Sequence, residues 1–270
     1  MRKNNYCYNS ISETLVKSYQ KNGLAIVKNF FKKNEILMMK KEVLKKIKKK
    51  NEKFFYYEKI NRINKLRRIE KITNFSKLAK KILLSKEIFS FLKLLEKEDF
   101  VLFKDKLNFK YPGGKGFLPH IDGHFFWRDS SNKYQNGWHK YSSNFVNLVV
   151  PLEKSNLKNG CIFISKKRNT NSIGKNFKSI TKKMLINTPN LKNQDLKKFK
   201  FFSIILDAGD LCIFNWKCAH FSKRNNSNKS RMILYTTYSK KNNIKDVRKK
   251  YYHDKLHSKN NNKNKSLLFN

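Results

Sequence analysis

The chain has 270 residues, of which 39% are hydrophobic and 14% aromatic, so it can bury a substantial core. It contains no apolar run of about 18 residues, and its start lacks the apolar stretch of a signal peptide. We therefore expect a cytoplasmic protein without a membrane span. The four cysteines, Cys7, Cys161, Cys212 and Cys218, form no CxxC pair, which argues against a zinc knuckle or a disulfide framework and indicates reduced thiols.

Positive charge dominates the composition, with 62 lysines and arginines against 19 acidic residues and a formal net charge of +43. Such a surface attracts polyanions. An AT-rich codon bias explains the many lysines only in part, because glutamate and aspartate also have AT-rich codons and are scarce. We therefore expect the partner of this positive surface to be an acidic protein or an acidic substrate, in preference to a nucleic acid.

The first hundred residues are predicted to be mostly helical. Ser10 or Ser12 can cap a first helix, and Gly23 interrupts the chain before a short strand that starts at Leu24. Asn34 is expected to cap a long basic helix whose lysines lie on the solvent-exposed face. An amphipathic pattern over residues 75–95 predicts a further helix.

From Val101 the sequence changes to short apolar runs separated by Gly, Asn, Asp and Pro, which predict strands over residues 101–111, 116–121, 144–152, 160–165, 201–206, 211–215 and 230–238. Many short strands are typical of a sandwich, a jelly roll or a barrel. A polar insert over residues 166–200 is expected to form loop and helix. Residues 241–270 are basic, and we expect this tail to be partly disordered.

A histidine and an aspartate, His120 and Asp122, follow a glycine-rich turn at a spacing of two residues. Residues i and i+2 of a strand share a face, so both side chains can reach one metal ion. The best candidate for a third ligand is His220, at the end of another β-type run. Two histidines and one carboxylate leave open coordination positions, which suits non-haem iron(II), whereas a structural zinc site is closed.

Arg231 follows His220 by eleven residues and begins a further predicted strand. Antiparallel pairing across the turn would bring it back toward the metal. Its guanidinium group can hold the distal carboxylate of a dicarboxylic acid through two hydrogen bonds.

Residues 19–30, 104–122, 159–165 and 208–231 carry, in this order, a resemblance to the phytanoyl-CoA dioxygenase family of iron(II)/2-oxoglutarate oxygenases. The resemblance implies a mainly β protein, a double-stranded β-helix (a cupin-like jelly roll) with N-terminal helices packed outside. It implies one oxygenase domain over residues 1–240, with a mostly helical part to residue 100 and the jelly-roll core after it.

The same resemblance implies iron(II) ligands at His120, Asp122 and His220, with 2-oxoglutarate as cosubstrate and dioxygen as oxidant. It assigns the binding of 2-oxoglutarate to Arg231 and Ser222 and, more loosely, to Asn108 and Trp138. No catalytic residue is expected beyond the metal centre. The aromatic stretch His124, Phe125, Phe126 and Trp127 is expected to line the substrate mouth, with a packed aromatic rim as the alternative.

The implied reaction is hydroxylation of an aliphatic carbon in a small molecule or in a substrate bound to CoA or an acyl carrier, for example in natural-product biosynthesis. Halogenating relatives have a small residue in place of the carboxylate ligand, whereas this chain retains Asp122. The stretch 164–169 departs from the turn that relatives usually show there, which leaves the geometry of that loop open.

Two other functions remain as alternatives. One is a polyanion- or nucleic-acid-binding protein on a degenerate jelly roll, in which the lysine surface is the functional part. The other is a zinc-dependent hydrolase that uses His120, Asp122 and His124, although the sequence lacks the further histidines such sites usually have.

Overall fold

A computed structural model describes residues 6–47, 54–122, 126–128, 131, 133–136, 138–167, 191 and 196–257; for 126–128 and 134–136 it describes the backbone only. Most of the predicted 166–200 insert lies outside these residues. No helix in the described part of the chain is both long and apolar enough to cross a membrane.

The N-terminal segment alternates short strands with helices, in the order β1 (Cys7–Tyr8), α1 (Glu13–Asn22), β2 (Leu24–Val27) and α2 (Lys33–Ile47). Ser12 caps α1, since its side chain accepts a hydrogen bond of 3.3 Å from the Leu15 amide. Gly23 ends the helix in the left-handed conformation, with φ of 73°. Asn34 is not the cap of α2 but lies in its first turn.

A β-hairpin that the sequence did not predict follows, formed by β3 (Phe55–Ile60) and β4 (Ile63–Glu70), and after it come α3 (Ile72–Phe75), α4 (Lys77–Leu83) and α5 (Lys86–Glu96). The end of β4 is buried although it contains Arg67, Arg68 and Glu70. A half-buried strand is recognised in a sequence by the alternation of apolar and polar residues. Here charged residues occupy buried positions, so that alternation is absent.

Ten further strands follow in the described part of the chain; seven of them lie on the predicted apolar runs, and the three short ones at 126–128, 134–136 and 220–222 were not predicted. They are β5 (Phe100–Lys110), β6 (Phe117–His120), β7 (Phe126–Arg128), β8 (Tyr134–Asn136), β9 (Phe145–Pro151), β10 (Ile162–Ser165), β11 (Phe201–Ile204), β12 (Leu211–Asn215), β13 (His220–Ser222) and β14 (Arg231–Lys240). One sheet has the order β1-β2-β12-β9-β14-β5-β4-β3, a second has the order β11-β10-β13-β6, and β7 pairs with β8. This is the predicted mainly β jelly roll with outer helices.

Alternate residues of the large sheet enter two different cores, as the pleat requires. On β12, Leu211 and Ile213 pack with the helices, whereas Cys212 and Phe214 pack with the small sheet. The cysteines are free thiols, and all except Cys7 are buried, as expected. The inner face of the large sheet therefore looks toward the small sheet, where the candidate ligands lie.

Within the basic tail, residues Val247–His257 form a helix, α6, and the expectation that the tail is partly disordered stays a prediction. Val247 and Tyr252 are buried, Lys255 forms an ion pair with Glu70, and Arg248 forms one with Asp105. Both acidic partners lie in strands that precede the tail by far in sequence. The apolar content of the tail alone does not predict this contact, because ion pairs with distant residues hold the helix. Residues 258–270 lie outside the described residues.

Candidate metal centre

The two candidate histidine ligands are neighbours on adjacent strands. His120 on β6 pairs directly with His220 on β13, and their ring centroids are 4.2 Å apart. A register shift follows between His220 and Ser222. The turn before β6 approaches β13 so closely that a Cβ on Gly116 would lie 2.0 Å from the Ser222 carbonyl oxygen. This close approach is the reason for glycine at that position.

Asp122, two residues after His120, completes a compact group. The Nε2 atom of His120 lies 3.9 Å from one Asp122 carboxylate oxygen, and the Nε2 atom of His220 lies 3.8 Å from the other. Within the described ranges, these three residues are the group whose ligand atoms all lie within 4.8 Å of one another. The structure thus brings together the three predicted ligands from two strands and one loop.

In both histidines, the unprotonated ring nitrogen, Nε2, points into the group. The Nδ1 atom of His120 lies 2.6 Å from the Leu118 carbonyl oxygen, and that of His220 lies 3.1 Å from the Cys218 carbonyl oxygen. A carbonyl oxygen only accepts hydrogen bonds, so each Nδ1 has the proton and each Nε2 has a free lone pair. Such orientation of the far nitrogen is usual for histidines that bind metals.

The electrostatics of the group favour the charge states that bind a cation. Burial, reinforced by His220, lowers the pKa of His120 to about 3, and burial also lowers the pKa of His220. Burial alone would raise the pKa of Asp122, but His220, Lys104 and His120 outweigh it and lower that pKa to about 2. At neutral pH the site therefore has two neutral imidazoles and one carboxylate, the states a metal ion requires.

Arg231 lies at one end of β14 opposite Lys110 of β5, and both side chains are buried. Arg231 donates from Nε to the Asn159 carbonyl oxygen at 3.0 Å and from Nη2 to the Gly160 carbonyl oxygen at 2.6 Å. Its Nη1 atom is buried and has no hydrogen-bond partner in the described structure. One donor edge of the predicted anchor is thus available for a ligand.

Lys110, which the sequence analysis did not single out, is a second buried basic side chain. Its Nζ atom donates to the Ser222 hydroxyl at 2.9 Å and to the Gly160 carbonyl oxygen at 3.2 Å. Burial and the nearby Arg231 lower the pKa of Lys110 to about 5. Among the described residues, neither Arg231 nor Lys110 forms an ion pair with a carboxylate. An anion bound here would favour the charged form of Lys110 and balance the charge of Arg231.

Ser222 is oriented by its neighbours. Its hydroxyl oxygen accepts hydrogen bonds from Lys110 and from the Phe117 amide, the latter at 3.2 Å. The hydroxyl proton remains for another acceptor. Asn108, which faces the same side of β5 as Lys110, is buried, and its Oδ1 atom has no hydrogen-bond partner among the described residues. Unsatisfied buried polar atoms are unusual and indicate the place of a missing polar ligand.

The remaining predicted site residues are Trp138 and the aromatic stretch 124–127. Trp138 is buried in an aromatic cluster with Phe103 and Phe145, and the Nζ atom of Lys104 lies 3.5 Å from its ring centroid. His124 and Phe125 lie outside the described residues. Phe126 and Trp127 belong to β7, whose side chains are likewise not described. Their predicted role in the substrate mouth stays a prediction.

The unpredicted hairpin holds the turn that leads to His120. Arg67 of β4 donates to Glu58 of β3 at 2.9 Å, to the Lys115 carbonyl oxygen at 2.5 Å and to the Gly116 carbonyl oxygen at 3.0 Å. Glu58 in turn accepts from the Lys115 amide at 3.2 Å. This buried ion pair therefore satisfies the backbone of the glycine-rich turn and fixes its position.

Three dioxygenases or hydroxylases of known name are similar to this chain. "Dioxygenase lolE1" of Epichloe uncinata is 27% identical over 62% of this chain and 57% of its own length. The 2-aminoethylphosphonate dioxygenase of an uncultured bacterium, HF130_AEPn_1, is 30% identical over 57% and 51%, respectively. The methylphosphonate hydroxylase of Gimesia maris is 24% identical over 60% and 53%. The chain thus spans little more than half the length of these relatives.

Solved structures share the fold. EctD from S. alaskensis, solved with 2-oxoglutarate and 5-hydroxyectoine, superposes with a TM-score of 0.64 over 85% of this chain and 76% of its own, at 14% identity. The non-haem α-ketoglutarate-dependent carbocyclase SnoK gives 0.62 over 88% and 89%, at 12% identity. The family model for phytanoyl-CoA dioxygenase (PhyH) matches residues 19–233. The chain therefore belongs to the phytanoyl-CoA dioxygenase family.

Proposed function

We propose that this protein is an iron(II)- and 2-oxoglutarate-dependent dioxygenase that hydroxylates an aliphatic carbon of a small molecule or of a substrate bound to CoA or an acyl carrier. The observation that supports this most directly is the grouping of His120, Asp122 and His220, with ligand atoms within 4.8 Å of one another. A place in natural-product biosynthesis, an acidic carrier as partner and a cytoplasmic location remain predictions from the sequence.

In this proposal His120, Asp122 and His220 hold the iron(II), and the orphaned Nη1 atom of Arg231 and the Ser222 hydroxyl hold the distal carboxylate of 2-oxoglutarate. Iron(II) held by these residues would supply the oxidation of a C–H bond by dioxygen, with 2-oxoglutarate converted to succinate and carbon dioxide. The buried cations suit this cosubstrate because a dicarboxylate supplies the negative charge that the pocket itself lacks.

The names of the similar proteins support the proposal that the substrate is a small organic molecule. Two of them are named for phosphonates, the 2-aminoethylphosphonate dioxygenase and the methylphosphonate hydroxylase. Both names describe an oxidation of a short molecule that has a charged group. Because the chain matches only about half of their length, the substrates in these names do not carry over to this protein.

The experiment is a spectroscopic titration. Purified protein with iron(II) and 2-oxoglutarate, kept free of oxygen, should show the weak visible charge-transfer band of a chelated cosubstrate. His120→Ala or His220→Ala should abolish the band, whereas His253→Ala, a substitution on the exposed face of α6, should leave it unchanged. An unchanged band in either ligand variant would remove that histidine from the ligand set.

The two alternatives have their own outcomes in the same experiment. Retention of zinc with hydrolytic activity and no cosubstrate band would indicate the hydrolase. Salt-dependent retention on DNA or heparin by a protein that binds neither iron nor 2-oxoglutarate would indicate the polyanion-binding protein.

A further inference from the structure

A row of polar side chains follows one face of β5. Lys104, Lys106, Asn108 and Lys110 alternate along the strand with residues that pack elsewhere in the core, such as Leu107 and Phe109. The Asp122 carboxylate is close enough to raise the pKa of both Lys104 and Lys106 against the lowering effect of burial. The Lys110 Nζ atom also donates to the hydroxyl of Ser222, two residues after His220, so this face of β5 lies on the inner side of the large sheet.

Among the residues that the structure describes, Lys104 and Lys106 form no ion pair with an acidic side chain. Lys104 lies on the face of Trp138, 3.5 Å from the ring centroid, and Lys106 lies 5.7 Å from the ring centroid of Tyr235. Neither ammonium group has a hydrogen bond or an ion pair within the part of the chain that the structure describes. Burial lowers the pKa of both, that of Lys106 to about 8, so they are not ordinary solvated surface lysines.

The carboxylates in this region are already engaged. Glu70 forms an ion pair with Lys255 and lies 3.2 Å from Arg68, so its charge is balanced by two cations. Asp122 belongs to the metal centre and accepts a hydrogen bond from Asn147. Burial lowers the pKa of Lys104 and Lys106, and an anionic ligand beside them would favour their charged forms.

The cosubstrate's distal carboxylate does not account for Lys104. On the paired strands Lys110 lies opposite Arg231, whereas Lys104 lies opposite Thr237. These two positions are separated by six residues, or about 20 Å along a strand. Thr237 also lies opposite Asn147, the partner of Asp122. Lys104 thus lies at the strand position next to the Asn147–Asp122 contact, six residues along β5 from Lys110, which contacts Ser222 at the proposed carboxylate anchor.

We propose that the substrate is a small molecule with an anionic group, a carboxylate or a phosphonate, which is bound by Lys104 and Lys106 beside the Trp138 ring. This proposal rests on the proposed function, since it names the substrate class of the same site. The two ammonium groups hold the charged end, and the carbon to be oxidised lies beyond it toward the metal centre. A phosphonate or phosphate oxygen cluster and a planar carboxylate are both suitable acceptors for lysine.

The test measures binding rather than turnover. Full-length protein with iron(II) and 2-oxoglutarate, free of oxygen, is titrated calorimetrically with methylphosphonate, 2-aminoethylphosphonate and propionate, and with propionamide as a neutral isostere of propionate. At least one anionic probe should bind more tightly than propionamide. Lys104→Met or Lys106→Met should weaken its binding by about tenfold or more, which corresponds to one lost charged contact.

Two further variants keep the result interpretable. Lys104→Arg retains the charge and should retain most of the binding, whereas Lys93→Met removes an exposed lysine whose ion pair with Asp99 lies on the surface and should change nothing. The ratio of phosphonate to carboxylate affinity then identifies the anionic group. If no anionic probe binds better than propionamide, or if the Met variants bind it as the unmodified protein does, the proposal is wrong.

The 2-oxoglutarate affinity of the same samples separates this proposal from the proposed function. It should remain within about twofold in Lys104→Met. If it falls as much as the probe affinity, the lysines hold the cosubstrate, and the substrate proposal fails while the dioxygenase assignment stands. If the unmodified protein binds neither iron nor 2-oxoglutarate, the proposed function itself fails.

Discussion

The side-chain amide of Asn147 donates a hydrogen bond of 2.9 Å to the Asp122 carboxylate. Asn147 is itself fixed, because its Oδ1 atom accepts a hydrogen bond of 2.7 Å from the Thr237 hydroxyl on the adjacent strand. Asp122 lies two residues after the end of β6, outside the paired strand. Two strands of the large sheet therefore orient a ligand that belongs to the other side of the jelly roll.

We expect Asn147→Ala to weaken metal binding by about 10- to 100-fold, because partners that orient a ligand typically contribute this much to metal affinity. An iron(II) or cobalt(II) titration of the metal-free protein measures the effect. Asn144→Ala is the matched control, since the Asn144 side chain contacts Glu96 and Glu98 instead. Equal metal affinity in the two variants would mean that Asn147 does not orient Asp122.

Arg231→Met should weaken 2-oxoglutarate binding by about 3 kcal/mol, or roughly 100-fold, with little change in metal affinity. The reason is that the variant removes the buried donor edge while the ligands His120 and His220 stay in place. Calorimetry with the metal-loaded protein measures the cosubstrate affinity, and Arg224→Met, at an exposed position, is the control. A change below about twofold would place the anchor elsewhere.

The docking of α6 should make stability depend on Glu70. Burial favours the neutral acid, but Lys255 and Arg68 outweigh it and lower the pKa of Glu70 from its usual 4.5 to about 2. In acid the unfolded chain therefore takes up the proton first. The stabilisation is complete above pH 4.5 and is lost as the pH falls toward 2.

Glu70→Gln should accordingly lower the free energy of unfolding by about 3 kcal/mol at neutral pH, because it leaves buried cations without their partner. The difference from the unmodified protein should shrink as the pH falls below 4.5. Denaturant unfolding at several pH values measures it, with the exposed Glu13→Gln as control. A difference that is the same at pH 3 and pH 7 would contradict the ion-pair account.

The sequence was sufficient for features with local signals. Seven strands of the jelly roll were predicted because their apolar runs are bounded by turn residues. The grouping of His120, Asp122 and His220 was predicted because the histidine–aspartate spacing and the family pattern coincide. Arg231 was found by its distance from His220. In each case the informative residues lie within a short stretch of chain.

The features that the sequence analysis missed depend on pairing between distant segments. Lys104, Lys106 and Lys110 are three among 62 basic residues, and only the register of β5 against β14 shows that they face the metal centre. The hairpin of Arg67 and Glu58 was missed because charged residues at buried positions mask its alternation. A single sequence contains no signal for such contacts.

Neutralising exposed lysines of α2 should have little effect on small-molecule turnover. Lys41 and Lys45 lie on the outer face of this helix, and exposed charges contribute little to the folded state. We expect Lys41→Gln/Lys45→Gln to leave kcat/KM for a small substrate within about twofold. A loss confined to a CoA- or carrier-bound substrate would show instead that the basic face is a docking site.

Turnover should add one oxygen atom to the substrate and no halogen, because the Asp122 carboxylate lies with His120 and His220 where a third metal ligand is predicted. With two histidines and a carboxylate as ligands, a chelating cosubstrate and dioxygen would fill the remaining positions and leave none for chloride. Mass spectrometry of reactions under labelled dioxygen, with and without high chloride, measures the outcome: the product should be hydroxylated and labelled in both. A chlorinated product from the unmodified enzyme would contradict the role of Asp122, whereas a desaturated or ring-closed product would overturn hydroxylation and retain the cosubstrate assignment.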